Sequence, residues 1–359
     1  MKSLASLALL LGLVLTADVG AETHRFVPRT FPTAFAAVHE AALRIKSGDR
    51  VVTSTLDDRG TDAEGRTLAA GPNPQTGPFY IEGAAPGDLL VVTIESLTPN
   101  RTTGYSTSLV GPLAVGGTGL EGRPDPTRVP WTIDVAKGTV RLDLSAMAPN
   151  VEWHTRFVSP AFEMPLRPVL GSMGVAPAGE ASVEATGSGP FGGNMMSGAL
   201  MAGSRVMLPV SQPGALLMLG HGHARQGDGQ IAGTGVETSL DVTFSVEVVK
   251  KQEWPHSSVV RPSTVVGEFL QGWPRVENAD YLVTVGTAPT LQEALQHATM
   301  ELHHWLDDDF GLSEKTVSVF VGQAIEYEVS SLAEGHVTVA ARVRKSYLPA
   351  PVVLQATAP

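Results

Sequence analysis

The sequence predicts a mainly β protein, built of β-sandwich or barrel modules, with a small C-terminal α/β unit, and therefore α+β overall. Three observations carry that expectation. The chain holds 38 Gly and 26 Pro among 359 residues. They are spread along it so that they bound many short apolar runs, the pattern of strands joined by turns. The best helical periodicity falls late, from Thr290 to Leu306. A polar stretch from Lys250 to Pro255 follows the strand-like Leu240–Val249 and marks a boundary. Residues 22–250 thus read as a β-rich region of two modules, and residues 251–359 as the α/β unit.

Taken in order, Lys2, the apolar run Leu4–Leu15 and the small residues Val19-Gly20-Ala21 read as a signal peptide over residues 1–21. The apolar run is short for a bilayer span. The expectation is an exported chain, periplasmic or extracellular, with no stable membrane association once the leader is removed. Thr33–Lys46 is rich in helix formers and is stopped by Ser47-Gly48-Asp49, which predicts a helix. Val51–Leu56 predicts a strand, and Asp57 and Asp58 lie just beyond it. Paired acids at a strand end suit a metal or a general base; a turn with solvated carboxylates is the commoner explanation. The turn Ala85-Pro86-Gly87-Asp88 feeds the β-branched run Leu89–Ile94, as Gln212-Pro213-Gly214 feeds Leu216–Leu219. Trp131–Val135 and Thr139–Leu144 predict further strands.

Two Gly-rich segments, residues 170–177 and 189–196, suit either a substrate cradle or plain turn geometry. Neither has the spacing of a nucleotide-binding loop. In the C-terminal unit Thr290 and Glu293 form a capping box. Leu291, Ala294, Leu295, Ala298, Leu302, Trp305 and Leu306 share one face of the helix that follows. Ser313 caps a second helix ending near Gly322, and Gly335–Arg344 closes the unit as a strand. His303 and His304 are adjacent on a helix, diverge in direction, and read as surface residues.

The chain is organised around Leu208–Glu237. There an apolar run opens onto Gly220-His221-Gly222-His223, followed by the Gly-rich turn Gln226–Gly229. Residues i and i+2 of an extended segment share a face, so His221 and His223 can present two imidazoles side by side. Such a pair suits a zinc-like ion; a pair of surface or supporting histidines at a strand end would look the same. Bulk properties exclude other chemistries. Net charge is −11 with no basic block, which argues against nucleic acid. No cysteine is present, which removes disulfides, thiolate ligands and a thiol nucleophile. No G-x-S-x-G elbow occurs.

The segments NPQTGPFYIEGAAPGDLL, GSMGVAP, FGGNM, LPVSQPGALLMLG, HARQGDG and Trp273-Pro274-Arg275-Val276-Glu277, in that order, resemble the acetamidase/formamidase family from about residue 45 to about residue 345. The resemblance implies hydrolysis of a small linear amide to carboxylate and ammonia, a divalent metal (zinc first, calcium as the other candidate), a β-rich fold and a homo-oligomer. By position it maps Asp57 to the acid of a T-x-D motif and Asn194 to the Asn of G-G-N-M-D. His223, Asp228 and Glu237 map to the histidine and acids around Q-G-D-G-E. The chain departs from the family pattern at Met196, His221 and Gln230, each standing where the family has a carboxylate. Imidazole at 221 keeps ligand capacity, whereas Met196 offers only a soft thioether and Gln230 cannot take a proton.

Amide hydrolysis needs an activated nucleophile, a stabilised oxyanion and a proton for the leaving amine. The expected site holds an ion between Asp57, His221 and His223. Asp228 or Glu237 serves as base and then acid. Asn194 holds the carbonyl oxygen together with the backbone N–H groups of Gly192 and Gly193, and Gln230 orients substrate or water. The rival expectation is a binding protein that kept the fold and lost the chemistry with its three acids.

Overall fold

In the computed structural model the described residues are 20–107, 110–116, 128–143, 161–251, 260–262, 269–333 and 336–349. Nearly all of the expected signal segment, residues 1–19, lies outside them. The fold is mainly β, as predicted, and is built on two large sheets. The first has nine strands among the described residues. Its centre is Leu89–Pro99, flanked by Leu240–Val249 and Arg205–Pro209. Leu240–Val249 alternates buried and exposed positions through most of its length, as a strand with one face on a core must. Strands from both sides of residue 250 share this sheet: Arg205–Pro209 pairs with Arg275–Glu277, and Tyr281–Ala288 and His336–Arg344 extend it.

The second sheet has eleven strands among the described residues, with Leu217–Arg225 near its middle. That strand lies between Val169–Gly174 and Val236–Glu237 and also pairs with Gln75–Glu82. Side chains from both sheets, including Phe79, Leu90, Ile94, Leu170, Met173, Leu217, Leu219 and Phe244, fill the main core. A second core forms where the helix Leu291–Phe310 covers the C-terminal part of the first sheet. That helix begins as predicted, with the Thr290 hydroxyl accepting from the Glu293 N–H and donating to its carboxylate. Ala294, Ala298, Leu302, Trp305 and Leu306 are buried along it, whereas Leu291, at its first turn, is 45 % exposed. Ser313 caps the second helix, Glu314–Ala324.

One expected element is absent. The helix expected over Thr33–Lys46 is replaced by two short strands, Ala34–Ala36 and Leu43–Lys46. The first pairs with Ser182–Glu184 and the second runs parallel to Gln75–Glu82. Phe35 and Ile45 are buried in the main core through these pairings. Tertiary pairing thereby overrides the local preference of an alanine-rich segment.

Candidate metal centre

The strand Leu217–Arg225 carries His221 and His223 into the interior, at 5 % and 0 % exposure. His221 is left-handed, with φ 57°. The ladder to Val169–Gly174 pairs Leu170 with Gly222 and Ser172 with Gly220, so the strand departs from regular geometry at His221. Glycine makes the room. A Cβ on Gly171 would lie 3.0 Å from the His221 ring, and one on Gly235 would lie 2.9 Å from His223 Cγ. Glu237 sits directly across the ladder from His223 and is fully buried. Its two oxygens reach both rings: His221 Nε2 is 3.1 Å from Oε2 and His223 Nε2 is 2.9 Å from Oε1.

The protonation of this trio can be read from its neighbours. Gln226 Nε2 donates to the Met196 carbonyl, which turns Gln226 Oε1 toward His223 Nδ1 at 2.8 Å. Asn194 Nδ2 donates to the Thr186 carbonyl, which turns Asn194 Oδ1 toward His221 Nδ1 at 2.9 Å. An amide oxygen can only accept, so each Nδ1 carries the proton and each Nε2 of a neutral ring keeps its lone pair. Two lone pairs and a carboxylate then face one another. His223 Nε2 and Glu237 Oε2 lack any hydrogen-bond partner of acceptable geometry despite these short distances. Acceptors gathered around a buried point need a cation or protons between them. One nitrogen from each imidazole and a carboxylate oxygen all lie within 4.8 Å of one another. Two imidazoles and a carboxylate are a donor set that suits zinc.

In the absence of an ion, protons take that place. Burial pushes the His223 imidazole down, but the Glu237 carboxylate outweighs it and the net direction is up. Burial pushes Glu237 up, and the charges of His223 and His221 outweigh it, holding the carboxyl below its ordinary range.

The remaining expected residues divide. Asp57 is buried but committed elsewhere: Oδ1 accepts from the N–H groups of Arg59 and Thr61, and Oδ2 accepts from Arg101 Nη2 at 2.7 Å. It orders its loop and does not join the two histidines. Glu237, expected as the base, is instead the carboxylate of the trio. Asp228 is exposed at the start of a one-turn helix, Asp228–Gln230, where solvent satisfies it, whereas the trio is buried. Asn194 orients His221 through Oδ1, and its Nδ2, the group that would hold a carbonyl oxygen, donates to the Thr186 carbonyl instead. Gln230 stands behind His223, with Nε2 3.3 Å from Gln226 Oε1.

Gly192 and Gly193 pair with Met173 and Gly174 on one side and with Ser188 and Gly189 on the other. Their backbone is held in the sheet, at φ 88° and 89°, and does not form a free pair of donors. A Cβ on Gly192 would lie 2.4 Å from the Met173 carbonyl oxygen, so glycine is required there by close packing.

Asp58, not Asp57, is the nearby carboxyl. It is half-buried and accepts from the Tyr105 hydroxyl. Burial, then the Glu237 charge, push its pKa up, while the Tyr105 hydrogen bond and His221 oppose. Tyr105 is placed by its strand, which pairs it with Glu237. Met196 is buried beside Gly171 and His221, so the departure from a carboxylate leaves a thioether against the ring.

Fold and site together define a two-sheet β protein with a buried centre of two histidines and a glutamate. Residues 185–352 match the model of the Acetamidase/Formamidase family. The acetamidase structure of Yersinia enterocolitica superposes with a TM-score of 0.70 at 26 % identity, over 93 % of this chain and 96 % of that one. That of Bacillus halodurans gives 0.69 at 26 %, over 90 % and 98 %. A Schizosaccharomyces pombe protein assigned as a formamidase is 29 % identical over 211 residues, 49 % of this chain. The chain spans about half the length of that relative (51 %). In motif order, family match and fold, the chain is similar to the acetamidase/formamidase family.

Proposed function

We propose that the chain hydrolyses a small linear amide to a carboxylate and ammonia, at a divalent ion held by His221, His223 and Glu237. The observation that carries this reading is the convergence of two imidazole nitrogens and a carboxylate in the buried trio, on a fold shared with acetamidases. An ion bound there supplies Lewis acidity, polarising the amide carbonyl and activating water. Gln226 and Asn194 fix the tautomers of the two imidazoles through their amide oxygens. Asp58 stands beside the trio with its carboxyl steered by Tyr105. It takes the proton of the attacking water at a carboxyl oxygen and returns it to the amine nitrogen that leaves. Met196 closes the space beside His221 with an apolar group that excludes water.

The test is metal analysis combined with ammonia release from formamide and acetamide. One equivalent of divalent ion is expected in the purified protein, lost in His223→Ala, with turnover lost in parallel. Unaltered turnover in metal-free protein would remove the ion from the mechanism. We also propose export, which predicts a mature chain beginning after Ala21; N-terminal sequencing of the exported fraction checks it.

A further inference from the structure

A polar cavity of about 350 Å³ lies beside the candidate centre. Its wall includes Asp57, Glu64, Arg101, Gly104, Tyr105 and Arg128. Tyr105 is common to both places, because its hydroxyl donates to Asp58. The wall carries two carboxylates and two guanidiniums, but they are not all paired with one another. Asp57 is matched by Arg101 at 2.7 Å, and Glu64 by Arg66 at 3.0 Å. Among the described residues, the Arg128 guanidinium has no carboxylate partner; it rests over the Tyr105 ring, 4.7 Å from the centroid. Arg59 contacts the same ring at 5.7 Å and likewise has no carboxylate partner among the described residues. A guanidinium held over a ring face spends no N–H on an acceptor there, so its N–H groups stay available. Their fork matches a carboxylate with two parallel hydrogen bonds. A chain of net charge −11 thus keeps two cations without acidic partners around the one tyrosine that also holds Asp58. Formamide or acetamide would leave both unused.

We propose that this cavity binds a carboxylate, so that the substrate is a short amide whose far end carries one, a monoamide of a dicarboxylic acid. The amide end reaches the trio past Tyr105, and the carboxylate end meets Arg128. The substrate part of this inference rests on the amidase reading; the anion part rests on the cavity alone.

Calorimetric titration of the metal-loaded protein with succinamate, and with neutral succinamide of the same length, separates the two. Succinamate is expected to bind about tenfold tighter or more at low salt. Arg128→Gln brings the ratio close to one, and Arg128→Lys retains part of it. Equal affinity for both ligands, an unchanged ratio in Arg128→Gln, or no succinamate binding at concentrations of about 10 mM would overturn the inference. Ammonia release measured alongside keeps the two readings apart. Charge preference without turnover sinks the amidase and leaves the anion site standing; turnover of acetamide without charge preference does the reverse.

Discussion

Among the described residues, two buried clusters of ionisable side chains are built in opposite ways. Where the helix Leu291–Phe310 covers the first sheet, Arg275 donates from Nε to Glu301 at 2.5 Å, has Nη2 3.6 Å from Asp308, and lies over Trp305. Glu301 also accepts from the Trp273 N–H. Burial pushes the Glu301 carboxyl up and the Arg275 guanidinium holds against it. There each Glu301 oxygen meets a donor, and the cluster ties the helix Leu291–Phe310 to the sheet. In the trio of His221, His223 and Glu237, acceptors meet acceptors. Burial alone therefore does not mark a functional site. The distinction lies in whether the cluster is complete without a guest.

Glu237→Gln is the sharpest way to break that comparison. The amide can donate to an imidazole Nε2, so it quiets the conflict while removing the charge an ion needs. Metal content and ammonia release are expected to disappear, with a stability change in the metal-free protein within about 1 kcal/mol. Chemical denaturation with and without chelator measures both. Arg275→Met should do the converse: about 3–5 kcal/mol of stability lost, because Glu301 is left buried without its partner, and metal content of the folded protein unchanged. Metal loss in Arg275→Met, or collapse of the fold in Glu237→Gln, would erase the difference between the clusters.

Asp57 and Asp58 repeat the contrast at neighbouring positions. Asp58→Asn is expected to lower kcat by roughly 10²–10⁴-fold while metal binding and stability hold. Asp57→Asn removes the partner of Arg101, whose side chain is 9 % exposed, and should cost about 3 kcal/mol of stability. Steady-state kinetics and thermal unfolding of the two variants suffice to tell the roles apart.

Much of this was legible in the sequence. Gly- and Pro-bounded runs announce the strands, the Thr290–Glu293 box announces the long helix, and the H-x-H pair on an apolar run announces two of the three residues of the buried trio. What stayed hidden depends on partners distant in sequence. Asp57 and Asp58 cannot be ranked without knowing that Arg101 captures one and Tyr105 the other. Asn194 reads as a substrate contact until the amide is seen turned onto His221. Asp228 sits in a motif of acids, but its loop leaves it in solvent. The helix expected at Thr33–Lys46 fails because Leu43–Lys46 finds a ladder partner in Gln75–Glu82, which no local propensity encodes.

The smallest expected effect is a pH dependence that the trio should show, and it requires the ion to be absent. His223 has a folded pKa above its unfolded value of 6.5. Its contribution to stability is therefore fully present below that value and is lost as pH rises through the raised folded pKa. Glu237 has a folded pKa below its unfolded value of 4.5, so its contribution is present above that value and is lost as pH falls through the depressed one. Chelated protein should accordingly be most stable between the two, and its Tm should drop by on the order of a few degrees as pH rises past neutrality. In the loaded protein the ion replaces the proton, and affinity increases with pH because the ligands must be deprotonated. Tm of the loaded protein should then hold over the same interval. Parallel alkaline melting of the chelated and loaded forms would deny the trio its guest, since a cluster indifferent to removal of the ion would be as self-sufficient as the one around Arg275.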